Sequence, residues 1–239
     1  MQIKLDTHTH TLASGHAYST ILENAKGAAE NGMELCAITD HAPGMHDSAD
    51  MIYFLNYRRL DPTLCGVEML YGAELDILDF DGGLSFDQKT IKRMDLCIAS
   101  FHETMLGIGS RAENTRAYLQ VMQTPGVSII GHPDDKHIPV DYEALVLEAK
   151  RVGILLEVNN ASLLPWHYRC GGAMENYRTM LRLCEKHGVP ISLGSDAHFA
   201  TGVGRMDLAA ALLEELRFPE ELVVNTDPPR FKEILSKRK

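Results

Sequence analysis

Short apolar runs alternate with longer amphipathic or helix-favouring stretches along the whole chain. Strand-like runs fall at 3–7, 35–39, 67–78, 96–100, 128–131, 154–158 and 191–194. Apolar runs bounded by turn residues read as buried strands. Helices are predicted at 113–123, 142–151, 173–187, 206–216 and 230–236, with a helical or irregular stretch at 49–61. Thr20 and Glu23 form a capping-box pattern that opens a further helix, and Asn31-Gly32 stops it. Asp81-Gly82-Gly83 signals a turn after the 67–78 run, hence a small hairpin. Seven main strands alternating with helices imply parallel strands joined by crossover helices. No low-complexity linker or short repeat divides the chain, so residues 1–239 are expected to form one domain.

Certain polar residues recur at or just after the C-terminal ends of these runs: His8, His10, His16, His41, Glu74, His102, His132, Asp196 and His198. Most lie in four fragments, Asp6-Thr7-His8-Thr9-His10, Thr39-Asp40-His41, Gly131-His132-Pro133 and Ser195-Asp196-Ala197-His198. Imidazole nitrogen and carboxylate oxygen are the donors that hold divalent transition metals. His8 and His10 are two apart, so on an extended strand their rings share a side. Taken singly, each histidine reads as an ordinary strand-end residue. Repetition at independent strand ends changes that reading. Nine donors exceed the needs of one four-coordinate ion, and a carboxylate can bridge two, so a polynuclear hydrolytic site is expected. Ligands spread from the first strand to the last require the strand ends to converge on one centre, as in a barrel. An open sheet would gather its site at one switch point. The expected fold is therefore an α/β barrel of seven strands.

Composition narrows the partners. With 45% hydrophobic and 23% charged residues the chain is an ordinary globular one. A formal charge of −10 argues against gripping long nucleic acid through a basic stripe. Three divalent ions would bring the sum to roughly −4, with the positive charge in one cleft, which suits a small anionic substrate. The one basic cluster, Lys237-Arg238-Lys239, reads as a solvated end. The start lacks a basic region followed by an apolar one, and no run is long enough to cross a bilayer, so a cytoplasmic protein is expected. Five cysteines without paired spacing make no disulfide framework. Cys36 and Cys97 fall in strand runs as buried thiols, and Cys65, Cys170 and Cys184 read as free thiols. No P-loop, Rossmann glycine fingerprint or G-x-S-x-G elbow is present, which sets aside nucleotide-driven and serine-hydrolase chemistry.

In order along the chain, an H-x-H, a T-D-H, a strand-end Glu, single histidines on later strands and a final D-x-H resemble the PHP (polymerase and histidinol phosphatase) family. The stretches His16-Ala17-Tyr18-Ser19, Ala37-Ile38-Thr39-Asp40-His41, Leu156-Glu157-Val158-Asn159-Asn160 and Leu193-Gly194-Ser195-Asp196 look like its stand-alone YcdX-like phosphatase branch. The resemblance covers about residues 3–236 and implies a distorted (β/α)7 barrel, TIM-like, with three divalent ions. Carried over position by position, His8, His10, Asp196 and Glu74 would hold the first ion. Glu74 would bridge to a second, held also by His102 and His132, while His16, His41 and His198 would hold the third. Zinc is the expected metal, and manganese and iron suit the same donors.

The implied activity is a metal-dependent phosphoesterase that hydrolyses small phosphomonoesters with a metal-bound hydroxide. Glu74 would be the bridging catalytic carboxylate and Asp196 both a ligand and a proton relay. Asp76 would support the site from behind; Asp6 and Asp40 would orient rings or loops, or serve as plain turn residues. Arg169 and Arg205 are candidate phosphate contacts. His137 and His167 lie on loops of the active-site face with solvent exposure expected, and His187 suits a helix C-terminus. Three alternatives stand beside this reading: an exonuclease or phosphodiesterase on nucleic acid ends, an amidohydrolase-type C–N hydrolase, and a non-enzymatic metal-bound scaffold.

Overall fold

The apolar runs become short parallel strands whose two faces are both covered. In the computed structural model, which describes residues 1–239, β1 (Leu5–Asp6), β2 (Leu35–Ile38), β3 (Thr63–Leu64) and β4 (Val67–Tyr71) form one sheet in the order β1-β2-β4-β3. A second sheet follows in chain order: β5 (Ala73–Asp76), β6 (Cys97–Ser100), β7 (Val127–Ile130), β8 (Leu155–Asn159) and β9 (Ile191–Gly194). Only the β3–β4 pair is antiparallel. The intervening helices are α1 (Ile21–Glu30), α2 (Met51–Leu55), α3 (Gln88–Ile91), α4 (Arg111–Val121), α5 (Tyr142–Val152), α6 (Cys170–His187), α7 (Asp207–Leu216) and α8 (Pro228–Arg238). The expected Thr20–Glu23 capping box opens α1, and the expected hairpin is an antiparallel bridge between Ile77 and Leu84.

The two sheets are one closed wall. The run read as a single strand at 67–78 breaks at Gly72, where a Cβ would lie 2.3 Å from the Leu96 carbonyl oxygen. That close approach lets the chain pass from the first sheet as β4 into the second as β5. Bonds from the Glu74 amide to the Asp40 carbonyl (3.0 Å) and from the Ala42 amide to the Glu74 carbonyl (2.9 Å) hold the junction to the end of β2. At the other seam, the Asp196 amide donates to the His8 carbonyl and the His10 amide to the Ala197 carbonyl, both at 2.9 Å. Lower in the same seam the buried Asn225 side chain donates to the Leu5 carbonyl (2.9 Å) and the Leu193 carbonyl (2.8 Å) and accepts from the Leu193 amide (2.7 Å). Counting β4 and β5 as one position, the result is the distorted (β/α)7 barrel.

Strand alternation sorts the residues between two cores. Cys36, Ile38, Leu75, Cys97, Ala99, Leu156 and Val158 face outward into the large core beneath the helices. Leu5, Leu35, Ala37, Leu96, Ile98, Ile129 and Leu155 face the barrel interior, whose lower end is plugged by Val224, Phe231 and Leu235. By that parity Glu74, Asp76 and Glu157 also point inward, above the apolar plug. Of the basic tail, Lys237 and Lys239 are exposed as the sequence implied, but Arg238 is not. Arg238 donates to the carbonyls of Val127, Val152, Met122 and Thr124 at 2.7–3.0 Å, its guanidinium reaching carbonyls at a strand start, at helix ends and in the turn between them. No helix is long and apolar enough to cross a membrane.

Candidate metal centre

All nine predicted donors converge at the C-terminal mouth of the barrel. Glu74 is central. Its Oε1 lies 2.8 Å from His132 Nε2 and 3.5 Å from His102 Nε2, while its Oε2 lies 2.8 Å from His41 Nδ1, 3.5 Å from His8 Nε2 and 3.6 Å from His10 Nε2. One carboxylate thus serves two groups of imidazoles. Asp196 Oδ1 faces the same centre, 3.1 Å from His10 Nε2 and 3.7 Å from His8 Nε2. His16 and His198 meet at the rim, Nε2 to Nε2 3.0 Å, and the His41 ring centroid is 5.0 Å from that of His16. His41 therefore stands between Glu74 and the rim pair rather than wholly with either.

The donor set fits divalent ions. His41 Nδ1 and Glu74 Oε2 are 2.8 Å apart, yet both are buried without a hydrogen-bond partner. Their lone pairs do not point along a bond to each other, which is how two ligands of a common ion are disposed. Three sets of donors, His8 with His10 and Glu74, His41 with Glu74 and His102, and His10 with His41 and His198, each have ligand atoms within 4.8 Å of one another. Charges agree. Burial would raise the Glu74 carboxyl, but His8, His41 and His102 outweigh it and hold it well below the usual range. Asp196 is likewise held low against its burial, chiefly by His8 and His10. Burial and Arg169 push His132 down to about 4, so its ring is neutral, the form that binds a metal.

Backbone conformation aims two of these side chains. His132 (φ 27°) and Asp196 (φ 53°) are both in the left-handed region, which is costly for residues with a Cβ. Such strain, on the order of 1–3 kcal/mol each, persists where surrounding contacts enforce it and is typical of functional sites. Here the His132 amide donates to Glu157 Oε2 at 2.8 Å and the Asp196 amide to the His8 carbonyl.

A second layer fixes the rings. His102 Nδ1 is 2.7 Å from Asp76 Oδ1, as the inward parity of Asp76 implied. His10 Nδ1 is 2.9 Å from Ser14 Oγ, which itself donates to Asp40 Oδ1 at 2.7 Å. Asp40 also accepts from the Thr11 amide and hydroxyl and from Tyr53, so it orders the 11–14 loop rather than a ring directly. Asp6 ties the β1 end to Ser195 and Gly204 through their amides. Glu157 had no role assigned from sequence. It is fully buried, with Oε1 2.8 Å from His8 Nδ1, and it holds that ring with Nε2 toward the centre. Gly194 makes room for it: a Cβ there would lie 2.1 Å from Glu157 Oε1. The detectable signal was a carboxylate in a strand run buried on both faces, Leu156-Glu157-Val158.

Above the donors opens a cavity of about 980 Å3 lined by His16, His41, Glu74, His102, His132, Asp196 and His198, with His8 and His10 beneath. Both predicted arginines reach its wall, but they differ. Arg169 is buried and donates to Asp196 Oδ2 at 3.2 Å; Asp134 and Asp196 keep it charged against its burial. Arg205 is exposed, 3.7 Å from Asp207. His167 also lines the cavity and is half-buried, less exposed than expected, whereas His137 pairs with Asp135 outside it.

A profile of the PHP domain matches residues 6–161. A protein of Clostridium novyi named a probable phosphatase is 42% identical over 231 residues, 97% of this chain and 93% of that one. One of the same name from Acetivibrio thermocellus is 41% identical over 239 residues, 100% of this chain and 98% of the other. The crystal structure of histidinol phosphate phosphatase from Lactococcus lactis, complexed with zinc, L-histidinol and phosphate, shares the fold at a TM-score of 0.61 and 20% identity, covering 90% of this chain and 94% of that one. With the motifs in order, the barrel closed around them and relatives matched end to end, the chain belongs to the PHP domain family.

Proposed function

We propose that this chain is a metal-dependent phosphomonoesterase acting on small molecules, its 239 residues forming one metallohydrolase domain. The observation that carries the reading is the division of Glu74: one buried carboxylate with each oxygen turned to a different group of imidazoles. Similarity to proteins named probable phosphatases, and to the fold of a zinc-containing histidinol phosphate phosphatase, supports it. Three divalent ions, zinc first, fit the nine donors, with His8, His10, Asp196 and Glu74 around the first, Glu74, His102 and His132 around the second, and His16, His41 and His198 around the third. When bound, such ions acidify water towards a pKa of about 7 and neutralise phosphoryl oxygens.

The chain's own groups supply the rest. Glu74 stays ionised inside a ring of histidines and so fixes their spacing. Asp196, also ionised, is suited to accept the proton that the attacking water gives up and to pass it to the departing alkoxide. Arg169, buried and charged beside Asp196, would bind a non-bridging phosphoryl oxygen and orient the ester for in-line attack. Arg205 would reach only the distal part of a substrate.

Turnover of an aryl monophosphate, the matching diester and a short single-stranded DNA, each with zinc and with manganese, tests this reading. The monoester should be hydrolysed fastest, because a dianion offers more oxygens to the centre while a chain of net charge −10 repels a polyanion. Efficient DNA degradation with negligible monoester turnover in both metals would replace it with a nuclease.

A further inference from the structure

Phosphate alone does not account for a cavity of about 980 Å3. Its volume is that of a site for a drug-sized ligand, so most of it must receive the alcohol half of the ester. Four of the most exposed large apolar side chains in the protein stand around this one opening: Trp166 (77%), Tyr18 (75%), Tyr168 (64%) and Phe199 (54%). Trp166 is the chain's single tryptophan. Scattered exposed apolar residues need no explanation, but several gathered on one rim mark a binding surface.

Their arrangement is ordered. On the loop after β8 the rings run in sequence towards the metal centre. Trp166 and His167 have centroids 6.1 Å apart, His167 and Tyr168 4.7 Å, and the Arg169 guanidinium lies 5.5 Å from the Tyr168 ring centre. Arg169 then contacts Asp196. A ladder of rings, tilted 53° and 31° to one another, thus runs from exposed Trp166 to Arg169 beside Asp196. In that wall Asn160 Oδ1 accepts from the Leu208 and Ala209 amides, and Arg205 lies 3.7 Å from Asp207. The exposed surface of that wall is mostly apolar and offers π-faces in plenty, a poor match for the hydroxyls of a sugar or polyol.

We infer that the aromatic rim at Trp166, Tyr168, Phe199 and Tyr18 selects phosphomonoesters whose alcohol carries a planar aromatic ring. This rests on the phosphomonoesterase reading and narrows its substrate class. A ring stacked on the rim would leave its phosphate directed down the ladder to Arg169 and the donors. Two sources share that chemistry, a nucleobase on a nucleoside monophosphate and a simple aryl or pyridyl group.

The test has a catalytic and a binding arm, both on the metal-loaded protein. In the first, kcat/KM is measured for adenosine 5′-monophosphate, benzyl phosphate and glycerol 2-phosphate. The aromatic-to-glycerol ratio should exceed one and should fall about tenfold in Trp166→Ala, the range expected for loss of a stacked ring, with recovery in Trp166→Phe. A ratio unmoved by Trp166→Ala overturns the inference. Preference for the nucleotide over the benzyl ester, or the reverse, identifies which source of ring fits. The binding arm reads the fluorescence of the one tryptophan. Adenosine or benzyl alcohol should quench it saturably, glycerol should not, and Tyr168→Ala should weaken the effect. No saturable quench by either ring compound overturns the inference even if monoesters are hydrolysed. Saturable quench without hydrolysis of any monoester leaves the ring site standing and defeats the phosphatase reading instead.

Discussion

Replacing Glu157 by Gln exchanges one carboxylate oxygen for an amide group at unchanged volume, in a position with no solvent to absorb the change. All the groups around Glu157 are donors: His8 Nδ1 at 2.8 Å on Oε1, and the His132 amide (2.8 Å) and Asn159 Nδ2 (3.2 Å) on Oε2. The glutamine can turn its NH2 either way. Turned to His132 it meets two donors, one a backbone amide that cannot rotate, and an orphaned buried donor costs about 1–3 kcal/mol. Turned to His8 it meets one, and that imidazole can relieve the clash by moving its proton to Nε2. The second arrangement is the cheaper, and its consequence is specific. His8 then presents N–H instead of a lone pair to the centre. Loss of such an orienting partner typically weakens a metal site about 10–100-fold. Competition against a chelator of known affinity should show the weakest-held ion lost earlier than in the parent by that factor, while the melting temperature of the metal-free protein changes by only a few degrees at roughly 2–4 °C per kcal/mol. Unchanged metal affinity, or a lowered melting temperature without loss of affinity, would refute the orienting role.

Glu74→Gln keeps the volume but removes the anion that serves both imidazole groups, so activity at matched metal content should fall on the order of 10²-fold or more; near-normal turnover would move the bridge, with Asp76 the next candidate. Protein purified without chelator should carry about three transition-metal equivalents by elemental analysis, since nine donors exceed what two four-coordinate ions need; a fully active sample with one ion defeats the trinuclear arrangement. Metal uptake should release protons. Burial would lower the His102 pKa, but Glu74 and Asp76 outweigh it and raise the metal-free value from 6.5 to about 9. The raised value favours the metal-free fold below pH 6.5, an advantage lost as pH rises through about 9. Metal affinity moves the other way, rising between those values because the ligand must be deprotonated; calorimetry in buffers of different ionisation enthalpy reads the released protons, and their absence would contradict it.

What the sequence made legible was whatever repeats or alternates. Seven strand positions and the donors at their ends were readable because each strand independently puts its polar residue just past an apolar run. Inward parity likewise singled out Asp76, which now supports His102. Local caps were equally readable, and where one was overlooked the signal was present: Ser110 and Glu113 form the same capping box as Thr20 and Glu23 and start α4 two residues before the expected helix. The helix expected at 173–187 starts earlier, at Cys170, so α6 runs through Gly171 and Gly172, since packing overrides propensity. The rest depended on distances between elements far apart in sequence. The break at Gly72 depends on the Leu96 carbonyl, the closure at Asn225 on both Leu5 and Leu193, and the docking of Arg238 on four carbonyls more than eighty residues away. The rim was hidden for a different reason. Trp166, Tyr168, Tyr18 and Phe199 follow no period, and an exposed aromatic in a loop carries no sign of what it faces until the barrel brings four of them around one opening. Sequence periodicity therefore located the chemistry, whereas selectivity lies in loops whose only order is spatial.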